Sequence, residues 1–146
     1  MRYLPDRPLP VSTYVPGRGR RPATETGEVV PTDDWRRCEA YLWGVDLWNH
    51  GFPWEAHEAW EGPWRAATDD RHRELLRGLI QCAAARVQRA AGKSEGAATL
   101  LARGLSRLRA VGTEPCMGIT ADELAHRLER YFDDGDEVPV IVLAMD

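Results

Sequence analysis

Cysteine is scarce in this chain of 146 residues: Cys38, Cys82 and Cys116 stand far apart, and no two of them have CxxC spacing. That excludes a disulfide framework and a thiolate zinc knuckle, and leaves the three as small apolar fillers suited to a reducing compartment. Long hydrophobic runs are missing too, since no stretch approaches the roughly 20 apolar residues that a membrane-spanning helix needs. The opening "MRYLPDRPLP" is broken by proline from its fifth residue and has no signal-peptide core. These absences point to a cytoplasmic protein with no membrane partner. Charge of one sign is not in marked excess either, the formal net charge being −4. The charges are nevertheless segregated, with a basic block at Arg71–Arg109 and an acidic one at Glu114–Asp146. No aromatic residue interleaves the basic block, so it reads as solvated helix faces able to pair with the acidic block. Nucleic-acid contact ranks below that reading.

What is present is helical punctuation. Residues 1–31 hold six of the ten prolines, with arginine and glycine between them. Such a segment cannot sustain a helix and lacks the alternation of a strand, so it is expected to be an extended arm. Its apolar anchors (Leu9, Val11, Tyr14, Val15) favour an arm that packs on the rest of the chain or crosses to a second subunit of a homo-oligomer. The "RGRR" at Arg18–Arg21 could touch phosphate, but no companion motif supports it. Residues 32–146 are long enough to bury a core of their own and form the second unit, a helical bundle domain.

Five helices are expected there. The first starts at the N-capping residues Thr32–Asp34 and runs to about His50, with Cys38, Tyr41, Leu42, Val45 and Trp48 in three-four spacing. Gly51 ends it in a left-handed conformation, and Pro53 opens the second helix, where its missing N–H costs nothing. The second helix reaches about Glu61, and Pro63 should kink or end it. The third runs from Asp69 and Asp70 to about Ala91, closed by Gly92, and Gly78 in its middle implies a close helix crossing onto one of the tryptophans. Ser94 caps the fourth, striped by Ala97, Leu100, Leu101, Leu105 and Leu108. Thr120 and Glu123 make a capping box for the fifth, which carries Leu124, Leu128, Tyr131 and Phe132. The apolar tail "VPVIVLAM" has no strand to pair with and should lie extended against the bundle. The class is all-α.

The chemistry concentrates in "NHGFPWEAHEAWEGPWR", Asn49–Arg65, with two histidines, three glutamates and three tryptophans. On a helix, positions three and four apart share a face, so His57 and Glu61 are neighbours, Glu58 lies beside Glu61, and Glu55 lies one turn before Glu58. Trp60 and Trp64 should stack in the same way if the helix survives Pro63. Imidazole and carboxylate together suit zinc, manganese or iron. The spacing is that of HExxH with Glu61 in place of the second histidine. The plainer alternative is a buried histidine hydrogen-bonded to glutamate, with the tryptophans filling the core.

The pattern H-x-x-x-E-x-x-[WY], here His57, Glu61 and Trp64, resembles that of the domain of unknown function family 309. Asn49, Gly51, "EAHEAWE", "RGLIQCAAA" at Arg77–Ala85, Gly92, Gly96, Ala97 and the arm's "YVPGR" at Tyr14–Arg18 agree with it in the same order. The resemblance implies a helical fold and a metal-dependent hydrolase. His57 and Glu61 would hold a divalent metal, and Glu58 or Glu55 would act as general base. Gln81 would orient the substrate, an unknown small molecule, and Trp54, Trp60, Trp64 and Tyr14 would wall the cleft. Gln88 stands where many relatives have histidine, and "RRP" at Arg20–Pro22 where their arm reads "PHP", so a metal here rests on His57 and carboxylates. The competing function is a non-enzymatic helical module that binds a small ligand or protein partner in an aromatic-lined polar pocket. From the shared face of His57 and Glu61, and from Gln81 on the helix expected to pack there, His57, Glu58, Glu61 and Gln81 are expected together in one polar pocket between the second and third helices.

Overall fold

A computed structural model describes residues 1–19, 30–135 and 137–145. A 3₁₀ helix at Thr32–Arg37 precedes α1 (Glu39–Asn49), α2 (Pro53–Ala66), α3 (Asp70–Ala90), α4 (Ser94–Val111) and α5 (Ala121–Asp134). Among the described residues the protein is all-α, with no strand and only the isolated bridges Val15–Arg18 and Cys116–Ile119. No described helix is long and apolar enough to cross a membrane. Arg20 and Arg21 of the "RGRR" sequence lie outside the described residues.

The helix expected to run unbroken from Thr32 to His50 is divided. Cys38 adopts an extended conformation (φ −81°, ψ 93°) and closes the 3₁₀ segment by donating its N–H to Trp35 O at 3.1 Å. The break lets Trp35 turn inward, edge-on to Tyr41 and over the bare backbone of Gly118. The α1–α2 turn follows expectation: Gly51 has φ 90°, Phe52 N–H reaches back to Leu47 O at 2.9 Å, and Pro53 opens α2.

α2 continues through Pro63 to Ala66 instead of stopping near Glu61. Proline normally drives the preceding residue out of the helical region by clashing with its Cβ. The residue before Pro63 is Gly62, which has none, so the helix loses one hydrogen bond and keeps its course. Trp60 and Trp64 still do not stack. Trp60 is fully buried, tilted against Trp48 with ring centroids 6.3 Å apart, whereas Trp64 lies under the Arg77 guanidinium.

Asp69 caps α3 by accepting the His72 N–H at 3.0 Å, and that bond holds its carboxyl below the usual carboxylate range. The other predicted caps are not made. Thr32 and Ser94 are the first residues of their own helices, and Thr120 stands at the cap position of α5 without a capping hydrogen bond from its side chain. In α4 the buried face is Ala97, Gly104, Leu105, Leu108 and Val111, with Leu100 and Leu101 only half-buried. Gly78 does mark a close crossing, but onto α4 rather than a tryptophan. A methyl group at Gly104 would lie 3.0 Å from Gly78 O and 2.6 Å from Cys82 Sγ. The glycine beneath a tryptophan is Gly44 in α1, where a methyl group would collide with the Trp60 indole.

The tail is extended, with Ile141 and Leu143 buried. Asn49 in α1 serves as its strand partner, donating Nδ2–H to Ile141 O at 2.9 Å and accepting Ile141 N–H at 2.8 Å. Trp48 Nε1–H donates to Pro139 O at 2.9 Å. All three cysteines are buried free thiols, and burial pushes Cys82 up to about 12.

Gly44→Ala is expected to lower unfolding free energy by about 1–3 kcal/mol through overpacking against Trp60. Urea denaturation should show the midpoint falling with an unchanged m-value.

Candidate functional site

α2 is amphipathic. Trp54, Ala56 and Trp60 go into the core, and the face beside them presents His57, Glu58 and Glu61. His57 Nδ1 lies 2.7 Å from Trp54 O, one turn back. A carbonyl can only accept, so Nδ1 carries the proton and Nε2 points away from the helix backbone. That nitrogen faces Glu58 Oε1 at 3.6 Å and Glu61 Oε1 at 3.7 Å. The three potential ligand atoms lie within 4.8 Å of one another. Glu61 is held from its other oxygen, Arg65 Nη2 donating to Oε2 at 2.8 Å, one turn on. All three side chains are half-buried. An imidazole lone pair aimed at two carboxylates is repulsive unless a positive charge, a proton or a metal ion, lies between them.

Aromatic rings wall one side. Trp54 meets His57 edge-on, with centroids 5.7 Å apart, and Tyr14 of the arm meets Trp54 edge-on at 5.0 Å. The arm is fastened there by Glu55, which accepts Thr13 Oγ1–H at 2.7 Å and Tyr14 N–H at 2.9 Å. Both Glu55 oxygens are therefore taken by the arm, and the role of general base does not suit it. Gln81 is not hydrogen-bonded to the cluster either: buried in α3, it accepts Arg107 Nε–H of α4 at 3.1 Å. Trp60 belongs to the core, its Nε1–H donating to Tyr41 O at 3.2 Å. Trp64 lines a separate cleft with Arg73, Arg77 and Arg107.

A second group, Asp33, Asp69 and His72, also has ligand atoms within 4.8 Å of one another. Both of its carboxylates are exposed, Asp69 is committed to capping α3, and His72 Nδ1 is paired with Thr32 Oγ1 at 2.8 Å. The α2 cluster is the stronger candidate.

Sequence reasoning missed Asp46. This fully buried carboxylate in α1 accepts Tyr3 N–H and Leu4 N–H, both at 2.8 Å, and Arg2 Nε lies 3.9 Å away. Its signal was a lone acid inside the apolar run "YLWGVDLW", which demands partners from elsewhere in the chain.

The geometry defines an all-α bundle protein with a histidine–dicarboxylate cluster on one helix. Residues 41–100, from α1 into α4, match the model of a domain of unknown function, DUF309, the family that the His57, Glu61 and Trp64 motif resembles. No curated protein and no solved structure matches the chain.

Glu55→Ala removes both acceptors that hold the arm at Thr13 and Tyr14. We expect a loss of about 1–3 kcal/mol, as for hydrogen bonds to a charged group. Cleavage in residues 15–19 under limited proteolysis should become several-fold faster, and an unchanged cleavage rate would count against the clasp.

Proposed function

We propose that this protein is a metal-dependent hydrolase acting on a small molecule, with His57 and Glu61 as ligands of a divalent ion. The observation that carries the reading is the orientation of the His57 ring. Its Nδ1–H is spent on Trp54 O, and its Nε2 is turned toward Glu58 and Glu61. Metal-binding histidines commonly donate their second nitrogen to a carbonyl in this way, which orients the ring and strengthens the ligand. The donor set, one imidazole with carboxylates and no thiolate, fits zinc or manganese.

A divalent ion there supplies Lewis acidity to a carbonyl or phosphoryl oxygen. The chain's own groups do the rest. Arg65 holds Glu61 in place through Oε2, leaving Oε1 toward His57. Glu58, less exposed than Glu61, is placed to accept a proton from water at the same spot. Trp54 and Tyr14 shield the imidazole on the arm side.

One observation favours a non-enzymatic reading. Glu61 is shared by Arg65 one turn ahead and His57 one turn behind, and with a doubly protonated imidazole this triad staples α2 without any ion.

Metal analysis and melting of wild type and His57→Ala separate the two. The metal reading expects about one zinc or manganese per chain after purification without a histidine tag. It also expects loss of that metal in the variant with the fold retained, because a core of this size does not depend on the ion. A metal-free wild type, with a variant destabilised by about 1–3 kcal/mol from unpaired carboxylates, would leave the staple as the role of His57.

A further inference from the structure

The basic block of the sequence was expected to be neutralised by the acidic block, and among the described residues only Arg109–Glu129, at 3.2 Å, joins the two as an ion pair. Two pairs of arginines remain on the α3–α4 face. Arg73 and Arg77 stand one turn apart on α3, and Arg103 and Arg107 one turn apart on α4. Like charges at this spacing repel and weaken a helix. The crossing at Gly78 and Gly104 makes this worse, because it brings the two helix backbones together beside Arg77 and Arg103.

The acids nearby do not cancel the charge. Glu74 is taken by Arg107 Nη1 at 2.6 Å, and Asp70, which lines the first hollow, makes no ion pair within 4 Å among the described residues. Among the described residues no carboxylate lies within ion-pair distance of Arg73, Arg77 or Arg103. Arg77 is half-buried and laid flat on Trp64, its guanidinium carbon 4.9 Å from the ring centroid. That stacking fixes the plane of the guanidinium and leaves its N–H edge without a carboxylate. Two open, adjoining hollows of about 520 and 440 Å³ lie beside the arginines, the first lined by Arg73 and Arg77 and the second by Arg103, with Glu74 and Arg107 shared between them.

We infer that a small phosphorylated ligand lies across the two hollows, with Arg77 in the first and Arg103 in the second as the principal phosphate contacts and Arg73 in support. Guanidinium suits phosphate because its planar edge offers two parallel N–H donors to two oxygens. An anion across the hollows also relieves the repulsion within and between the arginine pairs. Ser106, exposed in the second hollow, adds a hydroxyl donor. The inference does not depend on the cluster at His57.

The test is isothermal titration of the full-length protein with inorganic pyrophosphate at low salt, in the presence of a chelator that removes any ion from the α2 cluster. Saturable binding is expected. Arg77→Gln and Arg103→Gln should each weaken it about tenfold, the usual scale for a lost charge-assisted contact, while Arg130→Gln on α5 should leave it unchanged. Circular dichroism checks that the variants are folded. No saturable binding would overturn the inference, and so would equal weakening by all three variants. Affinity for single-stranded oligonucleotides that exceeds that for pyrophosphate and grows with length would overturn it in favour of a nucleic-acid surface.

Discussion

The packing of Trp60 against the bare backbone of Gly44 sets the geometry on which the candidate site depends. A helix face can accept an indole this closely only where no Cβ intervenes, and the α1 residue beneath the ring is glycine. The contact fixes the rotation of α2 about its own axis, together with the Trp60 hydrogen bond to Tyr41 O and the tilted pairing with Trp48. Once Trp60 points inward, the 100° step of the helix decides where every other α2 side chain goes. His57, Glu58 and Glu61 gather at the edge of the core, half-buried, while Glu55 is left on the side where the arm passes. The chemistry is thus placed by an apolar contact with no polar role of its own.

The same logic governs the arm. A proline-rich segment cannot satisfy its backbone N–H groups in a helix or sheet, and burying them unpaired is costly. Two carboxylates on the bundle meet that need. Asp46 accepts the N–H groups of Tyr3 and Leu4, and Glu55 accepts Tyr14 N–H with the Thr13 hydroxyl. Arg7 lies on the Trp43 face, 4.3 Å from its centroid, so the arm's cations also find a surface. Asp46 would be intolerable in the core without the arm, and without Asp46 the arm would lose one of its two carboxylate anchors.

The helical class, the turn at Gly51–Pro53 and the extended tail could be read from apolar spacing and from residues whose backbone preferences are strong. Where the reading failed, a partner distant in sequence decided the outcome. Trp35 is buried under Gly118, and this broke the first helix at Cys38. Pro63 was read as a kink or a stop on its general preference, although Gly62 before it removes the steric cause. Within the site, His57, Glu58 and Glu61 were legible because they share one helix and need only its period. Gln81 was not, since its hydrogen bond goes to Arg107 on α4, and no periodicity within α3 reports which neighbouring helix a side chain faces. Glu55 was read as a base because its spacing from Glu58 is helical, while the arm that engages it lies some 40 residues earlier in the chain.

The hydroxyl of Tyr3 accepts the N–H of Leu143 at 2.7 Å, across 140 positions of sequence. Tyr3 is also one of the two residues whose backbone Asp46 holds, so the arm and the tail share an anchor. The arm emerges first and waits through the synthesis of all five helices, and α1 emerges with Asp46 and Asn49 already seeking partners. Asp46 can be satisfied early by the arm, but the Asn49 amide and the Tyr3 hydroxyl stay open until the tail has been made and folds back onto α1. Closure of this part of the molecule therefore waits on residues 139–143, the last of its partners to be synthesised.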